Sequence, residues 1–401
     1  MLEILILKLL LFVGLIIAPI QTNHFFLKSS RAYSDAHKIA IYTLLCGQFL
    51  NQTFWFFIWP LFCLFGFLLF LRNEYKTIFS VSGVAFSIPF IFSLISSLWM
   101  VSGILDLRLL GYDQKWSFYA ALHGCFLGWL FVGSIAFLYK RESRKIYLTS
   151  CYLIFFCFLL VAFGINGVPY VKRLGVVGLS LILPVLIADY LVHLKVKNSS
   201  SVLFAALSFL SLVSSLILAL CNEFYPGFPR EIAGKSFMAM THGIMNAIIT
   251  IPCLTLSLLF EKRRTLHQTK KHDSIIFFDD ICVLCSRTVQ ILIKLDQNLR
   301  LKYSSLDGRI AKSLPSFRDK NAKESVVFWS NGVLYTRTDA VIHILITLGG
   351  IYSILGSTLK LFPLFVLDLI YDLIAKHRYQ IFGKRETCFL PTKESKDRFL
   401  T

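Results

Sequence analysis

Charge is what this sequence has least of. Asp, Glu, Lys and Arg make up 16% of its 401 residues, against about 25% in soluble domains, so most of the chain must be solvated by lipid. Acidic residues are scarcer still, 23 against 41 basic ones. The ten cysteines are scattered singly except for one close pair, Cys282 and Cys285. A secreted disulfide framework is shorter and denser in cysteine, so that class is set aside. No soluble stretch carries a basic stripe interleaved with aromatics, which argues against a nucleic-acid partner. The first apolar run has Glu3 ahead of Lys8 and no small-residue cleavage site after Ile20; it reads as a retained helix rather than a signal peptide.

What is abundant is apolar: 56% of the residues are hydrophobic. Crossing a bilayer core takes about 20 mostly apolar residues. Eight runs qualify, at 2–20, 54–71, 78–105, 116–139, 146–165, 174–194, 202–221 and 237–260. The expected fold class is therefore a multi-span α-helical membrane bundle of about eight helices over residues 1–260. A basic linker follows at 261–273, and then an α/β domain at 274–395. Residues 39–50 are apolar but short, and Asn51-Gln52-Thr53 interrupts them; an interfacial helix, a re-entrant piece and a ninth crossing all remain open there.

Orientation follows from the basic residues, which in membrane proteins collect in short cytoplasmic loops. Residues 1–273 hold 23 Lys and Arg against 11 Asp and Glu, and the remainder hold 18 against 12. Lys140, Arg141, Arg144 and Lys145 form one cluster; Lys262, Arg263, Arg264, Lys270 and Lys271 form another. Four crossings separate them, so both fall on one side, assigned here to the cytoplasm. That places the C-terminal domain in the cytoplasm of a cell whose inner membrane holds the bundle.

Ionisable groups within spans cost several kcal/mol by order of magnitude and need a reason. His123 and His242 are such groups, and Asn246 lies one helical turn beyond His242. Asp189 and His193, four apart, share a helix face near a membrane end. A proton or ion path is one reading and a haem held by paired imidazoles another. Interhelical hydrogen bonding that fixes the bundle is the commonest role of such residues. The stretches Tyr119-Ala120-Ala121-Leu122-His123-Gly124 and Met240-Thr241-His242-Gly243-Ile244-Met245-Asn246-Ala247 resemble the YndJ-like family of bacterial membrane proteins, over residues 80–260. That resemblance implies no particular chemistry.

After the linker the pattern changes. Ser274-Ile275-Ile276-Phe277-Phe278 reads as a buried strand. It runs into Asp279-Asp280-Ile281-Cys282-Val283-Leu284-Cys285, beyond which Val289, Leu292, Ile293 and Leu295 recur at near-helical spacing. A strand followed by Cys-x-x-Cys at a helix start is the thioredoxin arrangement. Helix-start amides favour negative charge, so the first thiolate is stabilised there, and the second cysteine stands one turn on to resolve a mixed disulfide. Asp279 and Asp280 oppose the effect. Further strands are expected at 299–304, 325–329 and 333–336, the last two joined by Asn331-Gly332 as a hairpin turn. Helices are expected at 308–314 and from Thr338, as N-cap, to Gly349-Gly350. The order is βαβαββα.

The segment resembles the DCC-type thiol-disulfide oxidoreductases, named for Asp-x-x-Cys-x-x-Cys: here Asp279, Cys282 and Cys285. Further matches are Ser325-Val326-Val327, Tyr335-Thr336-Arg337-Thr338-Asp339-Ala340, Tyr371-Asp372, Arg378-Tyr379, Phe382-Gly383-Lys384-Arg385, Cys388 and Pro391. The resemblance implies a thioredoxin-like, membrane-bound enzyme that exchanges its dithiol with a protein or small-molecule thiol or disulfide. It calls for no cofactor and no metal. Cys282, Cys285 and Asp279 are the implied catalytic residues; His123, His242 and Asn246 are the intramembrane candidates. A membrane transporter or sensor with a redox-responsive regulatory module is the alternative.

Two departures stand out. Asp280 replaces the glycine usual in the family, and no proline precedes Ser325 where thioredoxins place a cis-proline. Cys282, Cys285, Cys388 and His377 make a zinc site conceivable, but the close second ligand pair of such sites is missing. Asp279 is either a proton acceptor for Cys285 or a turn former, with the turn slightly favoured. Arg378, Lys384 and Arg385 either hold an anionic partner or solvate a surface. Residues 351–374 mimic a span, but Lys360, Pro363, Asp368 and Asp372 break them into two amphipathic helices packing on the domain, with a face able to touch the bilayer.

Overall fold

The computed structural model describes residues 2–165, 168–194, 199–268, 274–308, 310–311, 325–330, 333–384 and 397–400. The chain forms two compact units, Met1–Arg263 and Arg264–Thr401, each with its own hydrophobic core.

The first unit is helical. Its helices are α1 (Leu2–Phe25), α2 (Arg31–Phe49), α3 (Ile58–Glu74), α4 (Val81–Leu105), α5 (Gln114–His123), α6 (Val132–Glu142), α7 (Lys145–Ile165), α8 (Pro169–Val192), α9 (Ser199–Phe224) and α10 (Ile251–Gln268). A π-helical stretch, Gly124–Phe131, joins α5 to α6 in one crossing; two more, Ala239–Gly243 and Met245–Thr250, lead into α10. Between Phe224 and Ala239 the chain makes a small hairpin of β1 (Glu231–Ile232) and β2 (Lys235–Ser236). Among the described residues eight helices are long and apolar enough to cross a membrane, at the positions expected from composition.

The stretch at 39–50 belongs to a longer helix. α2 starts at Arg31 because Ser30 caps it, its hydroxyl accepting from the Tyr33 amide. Arg31, Asp35 and Lys38 in its first turns hide it from a hydropathy reading. It runs antiparallel to α3, with Tyr33 on Gly66, His37 on Phe62 and Gly47 on Trp55. Along α1, His37 Nε2 lies 2.9 Å from the Leu15 carbonyl, and Gly47 shares a cavity wall with Lys8. α2 therefore runs the length of its neighbours, so the start of α1 and the end of α10 fall at opposite ends of the bundle.

Polar contacts mark those ends. Glu3 binds Lys115 at 2.9 Å and accepts from the Tyr119 hydroxyl at one end. At the other, Arg141 meets Glu261 at 2.6 Å and Arg144 grips Asp189 through both carboxylate oxygens. The 140–145 cluster and the end of α10 thus share one end, as the parity of four intervening crossings requires. Inside the bundle, Gln21 donates to the Leu130 carbonyl (2.8 Å) and accepts from Thr255 (2.7 Å), satisfying groups that lipid cannot.

The second unit is a four-stranded mixed sheet in the order β4-β3-β5-β6, built of β3 (Ser274–Phe278), β4 (Leu301–Ser305), β5 (Val327–Ser330) and β6 (Val333–Thr336). β3 pairs parallel with β4 and antiparallel with β5, and β5 pairs antiparallel with β6. α11 (Val283–Leu295) makes the crossover from β3 to β4. Of the helix expected at 308–314, only Gly308, Ile310 and Ala311 are described, and Ile310 and Ala311 are helical; Asn331-Gly332 lies outside the described residues. β3 is apolar from Ile275 to Phe278 because both its faces are covered there: Ile276 and Phe278 join Val289, Leu292, Ala340 and Ile344 on one side, and Phe277 joins Leu306 and Val327 on the other.

Three helices follow: α12 (Arg337–Leu348), α13 (Gly350–Leu359) and α14 (Leu364–Phe382). α12 ends at Gly349 and Gly350, whose φ of +81° and +54° suit glycine. The expected Thr338 cap is corrected. The helix begins two residues earlier, with Thr336 as N-cap and Arg337 as first helical residue, and the Thr338 amide donates to the buried Asp368 carboxylate of α14 instead, at 3.3 Å. A carboxylate from another helix fills the capping role, which no local pattern encodes.

Candidate functional site

β3 delivers the chain into the turn at Asp279–Ile281. Asp279 Oδ1 accepts from the Ile281 amide (3.2 Å), and the Asp280 carbonyl lies 3.5 Å from the Ser286 hydroxyl. Asp280 is not among the residues with left-handed backbone, so this turn does not need the glycine usual there. Cys282 is the N-cap of α11, and its Sγ accepts from the Cys285 amide at 3.3 Å. The nucleophile position expected from Cys-x-x-Cys thus has a helix-start N–H directed at its sulfur.

The two thiols sit in different surroundings. Cys282 is fully buried and Cys285 partly so. Burial pushes the Cys285 thiol well above the ordinary thiol range; its interaction with Cys282 and the Asp279 charge add to this, and the Arg378 guanidinium opposes it.

Part of the cover comes from a segment about a hundred residues downstream. Lys384 pairs with Cys282 in an isolated antiparallel β-bridge, its ammonium 4.5 Å from the centre of the Tyr379 ring. The Tyr379 hydroxyl donates to Asp279 Oδ2, and Arg378 reaches the same oxygen at 3.3 Å. Arg378 also stacks on the Tyr379 ring, 4.7 Å from its centre. The Tyr371 hydroxyl accepts from the Val326 amide at 2.9 Å. Two expectations are refined here. Asp279 is a turn former through one oxygen and an anchor for α14 through the other. Arg378 is an interior ion-pair partner rather than a solvated surface charge. Tyr379 enters the sequence reading only within a motif, and Lys384 also as a charge that holds an anionic partner or solvates a surface; spacing alone gives no hint that they close on Asp279 and Cys282. Arg385, Cys388 and Pro391 lie outside the described residues. Among the described residues no group of three or more His, Cys, Asp or Glu side chains is arranged to hold a metal.

In the bundle the structure brings His242 and Asn246 together and ties both to α9. His242 Nδ1 lies 2.9 Å from the Ser215 carbonyl, and Asn246 donates to the Ser215 hydroxyl (2.8 Å) and the His242 carbonyl (2.9 Å). His123 Nδ1 lies 2.8 Å from the Tyr119 carbonyl of its own helix. All three residues are in or beside π-helical turns, which interrupt regular helices at functional sites more often than elsewhere. Asp189 has Arg144 as its main partner, with His193 at 3.4 Å.

These features define a class: a multi-pass membrane protein carrying a mixed-sheet domain with a Cys-x-x-Cys pair at a helix start. The chain belongs to the YndJ-like protein family, whose model matches residues 3–250, and its C-terminal domain to the DCC1-like thiol-disulfide oxidoreductases, whose model matches residues 276–384. Two relatives align with that domain. The protein YuxK of Bacillus subtilis (strain 168), itself described as uncharacterised, is 35% identical over 134 residues, which cover 31% of this chain and 93% of YuxK. A chloroplastic DCC family protein of Arabidopsis thaliana is 31% identical over 118 residues, covering 29% of this chain and 69% of that protein. No solved structure matches the chain.

Proposed function

We propose that this protein is a membrane-bound thiol-disulfide oxidoreductase whose C-terminal domain works on the cytoplasmic side of a bacterial inner membrane. The observation that carries this is the Cys285 amide directed at the Cys282 sulfur from the start of α11. Cys282, as thiolate, attacks one sulfur of a substrate disulfide. A mixed disulfide forms, and the other substrate sulfur leaves as a thiolate that takes up a proton. Cys285 then loses its proton and attacks the Cys282 sulfur, releasing the second substrate thiol. The domain's dithiol is oxidised by two electrons, the substrate disulfide is reduced by two, and a thiol reductant of the cytosol restores the dithiol. The substrate class is a protein or small-molecule disulfide. Because Cys282 is buried, attack requires its cover to open.

The sidedness rests on the 140–145 cluster and the end of α10 sharing one end of the bundle, and on the tendency of basic clusters in the sequence to stay in the cytoplasm. The π turns around His123, His242 and Asn246 favour a second reading, in which the bundle transports or senses and the thiol domain adjusts it. Disulfide reduction by the purified full chain separates the two. Activity that disappears in both Cys282→Ser and Cys285→Ser supports the enzyme. A wild-type chain that turns over no disulfide points to the regulatory module. A tag at Thr401 that is labelled from outside intact cells would overturn the cytoplasmic assignment.

A further inference from the structure

A surface helix normally turns polar residues outward and an apolar stripe inward. α14 departs from this. Its inward stripe holds Asp368, Tyr371 and Arg378, which serve the α12 start, the Val326 amide and Asp279. Its outward stripe is apolar, with Phe365, Leu369 and Leu373 spaced by four, and Lys376 following one turn on. α13 adds Ile351, Ile354 and Leu355. These six side chains are between 51% and 74% exposed. Exposed apolar surface on this scale marks an interaction site.

We propose that α13 and α14 form an interfacial membrane anchor, their outward faces buried in the headgroup and upper acyl region of the bilayer. Three observations identify the occupant as lipid. First, the last candidate span ends at Glu261, α10 runs about 10 Å further to Gln268, and only residues 269–273 then lead to β3, so the tether reaches at most about 30 Å from the span. A domain of this size has a radius of gyration of roughly 13 Å, so the tether keeps it within about one domain diameter of the membrane surface, at high effective concentration. Second, the pair is bent by 109°. α13, with ten residues, is about 15 Å long and too short to cross a core of about 30 Å. α14 cannot enter the core without taking its inward polar stripe along. Lying flat in the interface satisfies both helices. Third, the charge pattern fits: Lys376 ends the apolar stripe, where an ammonium reaches back to the headgroups, and Asp372 beside it is paired with Arg337 at 3.4 Å. Because α14 also carries Arg378 and Tyr379, the anchor would fix the thiol pair at the membrane surface. The anchor itself does not depend on redox activity.

The test uses the full chain, one copy per nanodisc, with a small fluorescent amino acid replacing Leu369 or, as a control on the exposed side of α11, Arg287. In discs whose lipids carry bromine on the acyl chains, emission from position 369 is expected to be quenched and emission from 287 is not. Glu in place of both Ile354 and Leu355, exposed positions where folding is not at stake, is expected to weaken the quenching at 369. Unquenched, blue-shifted emission from 369 would mean that protein covers this face, either the bundle or a second copy. Unquenched, water-like emission would mean that nothing does. Either result overturns the proposal.

Discussion

At the residue scale, Cys282 and Cys285 differ in what surrounds their sulfur atoms. Cys282 receives an amide hydrogen, whereas burial and the Asp279 charge hold the Cys285 thiol protonated. A thiol whose pKa lies above the working pH gains thiolate roughly tenfold per pH unit as the pH rises toward it. Under the proposed mechanism, resolution of a Cys282 mixed disulfide should therefore accelerate as the pH rises from about 6 to 9, as followed by stopped-flow release of the second thiol. Charge substitutions give this a sign. Asp279→Asn removes a charge that raises the Cys285 pKa and should speed resolution; Arg378→Gln removes the opposing charge and should slow it. If Asp279 were instead the proton acceptor for Cys285, Asp279→Asn would slow resolution, so the direction of the change decides between the roles.

At the scale of elements, the second unit is closed by contacts between segments far apart in the chain. One such set lies at the far end of α11. The Asp296 carboxylate, 1% exposed, accepts from the Leu301 amide at 2.8 Å and the Arg300 amide at 3.1 Å, and pairs with Arg398. Phe399, next to Arg398, stacks on Tyr303 and bridges to it along β4. Removing one partner of a buried pair leaves an uncompensated charge, so Arg398→Ala should cost about 3–5 kcal/mol. Urea unfolding monitored by the domain's far-UV signal or by hydrogen exchange in the full chain would read it. A loss below about 1 kcal/mol would mean that the two amides alone satisfy Asp296. The strand and helix sequence of this unit was legible because hydrophobic period is local. The Thr338 cap was misread because its partner, Asp368, is supplied by a different helix.

At the scale of the whole molecule, the bundle and the thiol domain are separate compact units, and each should answer to its own mutations. Gly128, in the π stretch between α5 and α6, has no room for a Cβ: one placed there would lie 2.1 Å from the Phe92 ring. Overpacking of this kind costs about 1–3 kcal/mol. Gly128→Ala should therefore lower the thermal stability of the detergent-solubilised bundle, read by aggregation on heating. Disulfide exchange by the thiol domain, measured below that transition, should be unchanged. A parallel loss of exchange would show that the units are energetically coupled. The eight candidate crossings among the described residues are legible from composition alone. The full length of α2 is not, because Arg31, Asp35 and Lys38 lower its hydropathy; its antiparallel contacts with α1 and α3 reveal its course.

By itself the sequence determined the membrane bundle, the strand-turn-helix around Cys282 and Cys285, and the two family resemblances, since each depends on composition or spacing within a few residues. Only the tertiary structure decided which groups surround the sulfur atoms: Lys384 against Cys282, and Tyr379 and Arg378 on Asp279. It likewise decided that Gln21 joins Leu130 and Thr255, and that α14 turns its polar stripe inward and its apolar stripe outward. The reason is physical. A buried polar group must find a partner, and which partner it finds is set by distance in the folded chain rather than by separation along it.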